Sequence, residues 1–386
     1  MKKIGITTHY FNSKNFGGNL QAFALCDFLN KSGYSAEQIC FVFKGYDLLN
    51  SLGVSTAKRN FLKRAFSFPK NRIARLFVNK DKNKNKVVLR QEQSFENFNK
   101  NIIPHSIEVF NIDNASKCAE KYDAFIAGSD QIWNLSFYNP FFYLEFAGES
   151  KLKISYAASI AKSTLLREEI ELYKDKTKDF SAISLREQDV VDMLKGKLLV
   201  EPQVVVDPVL LLKRDNWDEV CSDRVIKDKY LFCYFLGNNK KARNLAKKFA
   251  KINGLKLVNI PYAGGNDFLY HKSFGDIKMY DVGPEQFLSL IKHSDYVFTD
   301  SFHAVVFSYV YQKQFFVFNR NSSGVMNSRI YNITKLIGAD ERFCSTESML
   351  MIEYLLSCAD IDYGVERQEL LELIEKSKKF LLDNLG

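Results

Sequence analysis

Tyr296–Gln312 reads YVFTDSFHAVVFSYVYQ, and its reading decides the architecture. Tyr296 to Thr299 is a short apolar run of the kind that forms a buried strand. Asp300 and Ser301 follow, and both are good helix N-cap residues. Ala304, Val305, Val306, Phe307, Val310 and Tyr311 then describe a mostly buried helix. Strand, tight turn and helix make the repeating step of an α/β sheet. The turn carries Ser301, Phe302 and His303. Backbone N–H groups and the positive end of the helix dipole converge there, which favours an anion. A histidine beside them can move a proton. The same pattern fits a capped core helix whose histidine only hydrogen-bonds, so the rest of the chain has to decide.

Composition permits a large α/β protein. The 386 residues are 46% hydrophobic and 26% charged, ordinary for a globular chain and enough for two domains. The 33 Phe and 19 Tyr suit core packing and sugar stacking alike. At the start, MKKIGITTHYF has two lysines and a short apolar run cut off by Thr7, Thr8 and His9. That predicts a first strand rather than a signal peptide. No stretch reaches the roughly 18 apolar residues of a spanning helix. The seven cysteines are scattered, odd in number and without a CxxC, as expected of a reduced cytosolic chain lacking structural zinc. Net charge is +9 but uneven. Residues 57–90 hold twelve Lys or Arg and one acid, Asp81, so this segment is +11 and the remainder −2. Phe61, Leu62, Phe66 and Phe68 interleave with its basic residues. Contact with an anionic membrane is one expectation for the segment, and a solvated insertion is the other; nucleic acid is not expected.

Along the chain the same step recurs. Lys3–Thr8 is a strand, followed by the turn-rich loop Asn12–Asn19 and a helix from Leu20 to Leu29. That loop is neither GxGxxG nor a P-loop. A helix is expected over Gln91–Asn99. Strand runs at Tyr122–Ala127, Ile154–Ala158, Ala182–Leu185 and Gln203–Val206 each end in small polar or charged residues. Ligands of open α/β sheets bind outside the carboxyl ends of the strands. Asn15–Asn19, Ser129–Asn134, Ser159 and Arg186-Glu187 are therefore expected to line one crevice. Val209–Asp228 reads as a connection. A second unit restarts with strands Tyr230–Phe235 and Leu257–Ile260 around the basic helix Lys240–Ile252. Helix Pro284–Ile291, the opening motif, strand Phe315–Phe318 and helices Arg329–Ile337 and Val365–Leu385 complete it.

Two α/β domains with a cleft between them are thus expected. The first covers 1–215, with the basic insertion at 57–90, and the second covers 216–365. A terminal helix over 366–386 would pack back on the first domain. HExxH, GxSxG and Cys/His metal spacings are missing, so neither a metal nor a cofactor is expected. His9, His105, His271 and His293 read as ordinary loop histidines.

Six stretches stand out in order: NFGGNLQAFAL (15–25), AGSDQIWN (127–134), ISYAASI (154–160), SLRE (184–187), VVVDPVLLL (204–212) and TDSFHAVVFSYVYQKQFFVF (299–318). Together, in this order and spacing, they resemble the polysaccharide pyruvyl transferase family from Lys3 to about Arg342. The resemblance implies two Rossmann-like domains in a GT-B-like arrangement. It implies transfer of a carboxyethylidene (pyruvyl ketal) group from phosphoenolpyruvate, as co-substrate, to two hydroxyls of a sugar. The acceptor would belong to a bacterial cell-surface polysaccharide, such as an exopolysaccharide, or to its lipid-linked precursor. The enzyme would be cytoplasmic, or peripheral at the inner face of the membrane.

The residues suit that chemistry. The donor carries a phosphate and a carboxylate, so its site needs several positive groups. Arg186 can grip an oxyanion bidentately, and the resemblance implies that it contacts the donor. Ser301, Phe302 and Arg329 are the other donor-side candidates. His303 is the candidate acid for the methylene carbon, as the family's motif histidine implies. Asp130 or Asp300 could accept a sugar proton, with turn capping the alternative for Asp300. Asn15, Gly17, Gln21, Ser129, Gln131, Trp133 and Asn134 are the acceptor-side candidates; Trp133 could stack on a sugar or sit in the core. Asn19 departs from the family pattern, where a small or aliphatic residue is common, which bears on acceptor choice. Two other functions stay open: a GT-B-type nucleotide-sugar glycosyltransferase, and a non-catalytic glycan-binding or scaffold protein.

Overall fold

The computed structural model describes residues 1–42, 82–261, 273–320 and 328–386. Most of the basic segment, 57–81, lies outside them, and with it the expected membrane contact. So do 43–56, 262–272 and 321–327.

The described residues form two open sheets, each wholly parallel. The first contains β1 (Lys3–Thr7), β2 (Ser35–Phe41), β3 (His105–Phe110), β4 (Ala124–Asp130), β5 (Leu152–Ala158), β6 (Ile183–Leu185) and β7 (Pro202–Val204), in the order β3-β2-β1-β4-β5-β6-β7. The second contains β8 (Tyr230–Tyr234), β9 (Lys256–Asn259), β10 (Ile277–Lys278), β11 (Tyr296–Thr299), β12 (Gln314–Phe318) and β13 (Phe343–Cys344), in the order β10-β9-β8-β11-β12-β13. Each order reverses once, at β1/β4 and at β8/β11, as in Rossmann-like units. Every residue of β4 (AFIAGSD) and β8 (YLFCY) is buried. Strands covered by helices on both faces need such continuous burial, and their apolar runs supply it.

Several elements differ from expectation. The first helix spans Phe16–Lys31 and so begins before Leu20. Asn15 Oδ1 accepts from Gly18 N at 3.2 Å, a cap that draws both glycines and Asn19 into the first turn. The helix expected over Gln91–Asn99 runs from Lys82 to Asn101. β10 and β13 are two-residue edge strands, too short for any periodicity to announce. The stretch read as a connection holds helix Arg214–Val220 and the fully buried Trp217. That indole donates to Val209 O at 3.2 Å and meets Phe23 at 5.7 Å and Phe307 at 4.8 Å, tying the two halves together.

One hydrophobic cluster runs through both halves. Phe16 stacks on Phe287 with centroids 4.6 Å apart. Each aromatic buried this way contributes about 1.5–3 kcal/mol relative to exposure. The final helix, Gln368–Leu385, crosses to the first half, where Ser377 Oγ accepts from Val206 N at 2.9 Å and Phe380 lies 6.4 Å from Tyr156. No helix among the described residues is long and apolar enough to cross a membrane.

Candidate active site

β11 leads through Asp300 and Ser301 into helix Phe302–Val310. Ser301 takes the N-cap position with extended backbone, but its side chain makes no capping bond. Asp300 does not cap this helix either. Its carboxylate turns to the loop after β8 and accepts from Leu236 N at 2.7 Å and Gly237 N at 2.8 Å. Burial pushes its pKa up, against the opposing pull of Arg320 and those two N–H groups. Both oxygens are committed to backbone, so Asp300 is structural and not an acceptor of sugar protons.

The helix presents Phe302 and His303 to the first half. A Cβ on Gly17 would lie 2.0 Å from His303 Nδ1, so only glycine lets the imidazole pack this closely. His303 Nε2 faces Asp207 Oδ2 at 3.4 Å. Asp207, just beyond β7, accepts from Arg186 Nη1 at 2.7 Å and from Val209 N at 3.1 Å. Arg186 follows β6 and lies over the Phe302 ring, with Cζ 4.5 Å from the centroid. Arg329, from helix Ser328–Leu336, reaches the same ring at 6.0 Å. The Gln131 carboxamide, oriented with its oxygen toward Arg329, accepts from Nη1 at 2.9 Å and Nη2 at 3.1 Å.

The neighbouring carboxyls are pushed in opposite directions. Asp130, at the end of β4, adopts a left-handed backbone with φ 61°. Few side chains tolerate that conformation, and it concentrates at functional sites. It lies 3.8 Å from Arg186 Nη2 and accepts from Asn15 Nδ2 at 3.4 Å. Burial would raise Asp130, but His303, Arg186, Arg329 and His9 hold it below the usual 3.8. Asp207 is likewise held below the carboxylate range, with burial outweighed by His303 and Arg186. Glu187 goes the other way: burial pushes it up despite Arg186 and a bond from Ser159 Oγ. Titratable groups driven apart by their surroundings are characteristic of acid–base sites.

The arginines differ as well. Burial and the like charge of Arg186 bring Arg329 down to about 10. Arg186 is buried too, but Asp207, Glu187 and Asp130 keep it charged. Nε and Nη2 of Arg186 and Nε of Arg329 have no hydrogen-bond partner among the described residues. Buried charged donors left without an acceptor are costly, so this arrangement suits an oxyanion. Both arginines line a cavity of about 390 Å³ between the ends of β6 and β7 and helix Ser328–Leu336. That is the size of a small-molecule site.

Asp130, Arg186, Phe302, His303 and Arg329 are thus brought together, with Asn15, Gly17 and Gln131 at the border. Other acceptor-side candidates lie behind. Ser129 is fully buried and donates to Asp207 Oδ2 at 3.4 Å. Gln21 donates to Thr8 Oγ1 and Gly18 O, both at 2.9 Å, and fixes the first loop. Asn134 caps the turn Leu135–Phe137 by accepting from Ser136 N at 3.0 Å. Trp133 cannot stack on a sugar. Its ring is buried against Tyr143 at 5.6 Å and Phe180 at 5.7 Å, and its N–H donates to Phe142 O at 3.1 Å.

Asp207 was not among the candidates drawn from sequence. Its signal was present, because VVVD ends a strand in a charged residue just as SLRE does. His9, read as an ordinary loop histidine, lies against Phe142 at 4.3 Å. Burial lowers its pKa, and the charge of Asp130 pulls it partly back. Among the described residues no group of three His, Cys, Asp or Glu could hold a metal ion.

Two Rossmann-like units meeting at a buried cluster of charges define a GT-B-type α/β protein. The UDP-GlcNAc 2-epimerase of Neisseria meningitidis, solved with UDP-GlcNAc, is similar at TM-score 0.50 and 9% identity, covering 100% of this chain and 99% of that one. The UDP-N-acetylglucosamine 2-epimerase of Rickettsia bellii is similar at TM-score 0.50 and 10% identity, covering 100% of this chain and 96% of that one. At these identities the likeness is one of fold. No curated protein matches the chain in sequence. The family profile described as polysaccharide pyruvyl transferase matches residues 15–322, and the chain belongs to that family.

Proposed function

We propose that this protein transfers a pyruvyl group from phosphoenolpyruvate to two hydroxyls of a sugar, in a cell-surface polysaccharide or its lipid-linked precursor. The carrying observation is the pair Arg186 and Arg329 on Phe302, with unpartnered buried N–H groups, beside His303. Phosphoenolpyruvate has an anionic group at each end, and guanidinium forks match both phosphate and carboxylate. His303 gives its proton to the methylene carbon, leaving an oxocarbenium-like centre at the neighbouring carbon. One sugar hydroxyl attacks that centre, the carbon–oxygen bond to phosphate breaks, and the second hydroxyl closes the ketal. One hydroxyl proton replaces the one given to carbon; the other leaves on phosphate. Asp207 faces Nε2 at 3.4 Å and compensates the imidazole's charge whenever the ring is protonated. Asp130, held below 3.8, is too weak a base to keep a proton. It is better suited to orient a hydroxyl and pass its proton on.

Titration calorimetry with phosphoenolpyruvate tests the donor assignment without knowledge of the acceptor. Wild type should bind, Arg186→Ala should not, and Arg186→Lys should bind more weakly because a point charge replaces a fork. Unchanged affinity in both variants would remove the donor from this site. Binding of a nucleotide sugar in its place would favour glycosyl transfer instead.

A further inference from the structure

Helix Lys240–Ile252 follows β8 and reads KKARNLAKKFAKI, six basic residues and no acid. Outside residues 57–90 the chain sums to −2, so +6 on one helix is a local concentration. Its buried side, with Leu245, Ala246 and Phe249, belongs to the core of the second half. Its exposed side carries Lys240, Lys241, Lys247, Lys248 and Lys251, joined by Asn244 and Ile252. At 3.6 residues per turn these positions fall within an arc of about 140°. Ile252, at the end of the arc, is 58% exposed. Lys241, Asn244 and Lys248 also line an open groove of about 520 Å³ with Ser348 and Met351, the last 51% exposed. Glu347 is the one acid in the described lining, and it pairs with Lys241. Core packing accounts for the apolar side of the helix. It accounts neither for the lysine face nor for the isoleucine and methionine left in water beside it.

We infer that this face docks on an anionic lipid bilayer, with the lysines among the headgroups and Ile252 and Met351 in the interface beneath them. Docking of this kind does not depend on the identity of the donor. Charge complementarity supplies the attraction, since four to eight basic residues on an amphipathic helix suffice to hold a negatively charged leaflet. Residue type favours lipid over other polyanions. All five exposed cations are lysines, compact charges that need no fixed geometry. Arg243, the guanidinium that could fork onto a single phosphate, is buried and donates from Nη2 to Gly237 O at 2.8 Å. The exposed arc carries no aromatic ring on which a base could stack. Ile252 and Met351 gain from leaving water only where the partner has an apolar layer below its charge. β8, which leads into this helix, pairs with β11, which leads into the helix of His303. The docking face therefore begins at the same edge of the second sheet as the proposed acid.

The test is co-sedimentation of the full chain with unilamellar vesicles, either phosphatidylglycerol mixed with phosphatidylcholine or phosphatidylcholine alone. At low salt wild type should bind the anionic vesicles at least tenfold more tightly than the neutral ones, and added salt should shrink that preference. A Lys247→Gln, Lys248→Gln, Lys251→Gln variant should bind anionic vesicles at least tenfold more weakly than wild type. Glutamine is a good helix former, so its circular dichroism should match wild type. An Ile252→Ser, Met351→Ser variant keeps every charge and should bind about threefold more weakly. All three proteins retain residues 57–90, so any attraction from that segment cancels in the comparison. Duplex DNA serves as the competing polyanion, and its binding should fall less in the lysine variant than vesicle binding does. No preference for anionic vesicles, or unaltered vesicle binding by either variant, would overturn the inference. So would a loss of DNA binding as large as the loss of vesicle binding, which would make the face a general polyanion site.

Discussion

Asp207 and Asp300 occupy matching places, one in each half: each is a buried aspartate just beyond a strand. Asp300 accepts two backbone N–H groups, and burial drives its pKa up. Asp207 faces a guanidinium and an imidazole, which hold its pKa down in spite of burial. One carboxylate meets neutral dipoles that the fold must satisfy; the other meets cations. The first sheet thus keeps its strand-end charges, Asp130, Arg186, Glu187 and Asp207, available to a ligand. The second sheet turns its own aspartate inward to brace a loop and contributes side chains from the following helix.

The sharpest break in this division comes from the imidazole that crosses it. His303→Ala should lower acceptor-dependent phosphate release by about 10²–10⁴-fold, the usual worth of a positioned general acid. Its circular dichroism and melting point should match wild type. Near-normal turnover would move the acid elsewhere.

Next come the two aspartates themselves. Asp207→Asn leaves Arg186 without its 2.7 Å charged partner and His303 without the carboxylate it faces. Turnover per folded molecule should fall about a hundredfold, an order-of-magnitude expectation for a disturbed acid–base pair. Asp300→Asn sets an amide NH₂ against one of two backbone donors. It should cost about 1–3 kcal/mol of stability, the penalty of an unsatisfied buried group. Folded Asp300→Asn protein should turn over normally. If urea unfolding shows no loss, or its folded fraction is as inactive as Asp207→Asn, the two carboxylates do not differ as claimed.

These pairs also explain what could be read from sequence. Buried parallel strands announce themselves as continuous apolar runs, so the alternation of strands and helices was legible, and strand-end polarity pointed to Asp130 and Arg186. Asp300 carries the same local grammar as Asp130. What separates them is a loop after β8 and a cation after β6, both remote in sequence. Trp133 was undecided for the same reason, since Tyr143 and Phe180 settle it from other elements. Gly17-Gly18-Asn19 resembled a loop because the reason for the glycine at 17 lies in His303, on the other half.

Gly17→Ala probes that long-range contact. In isolation the change should favour the helix, though by less than the roughly 0.8–1.0 kcal/mol of a helix interior, because residue 17 lies in the first turn. The new methyl would stand 2.0 Å from His303 Nδ1, so the imidazole must shift. Turnover should drop about tenfold with phosphoenolpyruvate affinity kept, since displacement of the proposed acid acts on the chemical step. Melting should change little, because better helix propensity and overpacking oppose each other. Full turnover would mean that the imidazole is free to move without consequence.

The smallest effect concerns Glu187, whose carboxyl behaves like that of Asp300 although it sits among the first sheet's charges. Burial raises its folded pKa above the ordinary 4.5, with Arg186 and the Ser159 bond only partly opposing. As pH climbs through 4.5, the unfolded chain releases this proton before the folded chain does, so the native state loses stability. The loss ends once the folded carboxyl also ionises. Glu187→Gln cannot titrate and keeps an oxygen to accept from Ser159. Its stability advantage over wild type should therefore be smallest near pH 4, grow as pH rises above 4.5, and then level off. Urea unfolding of both proteins across that range reads the difference directly. An advantage that is flat or shrinks with rising pH would place Glu187 with Asp130 and Asp207, as a carboxylate stabilised in its charged form by the arginines.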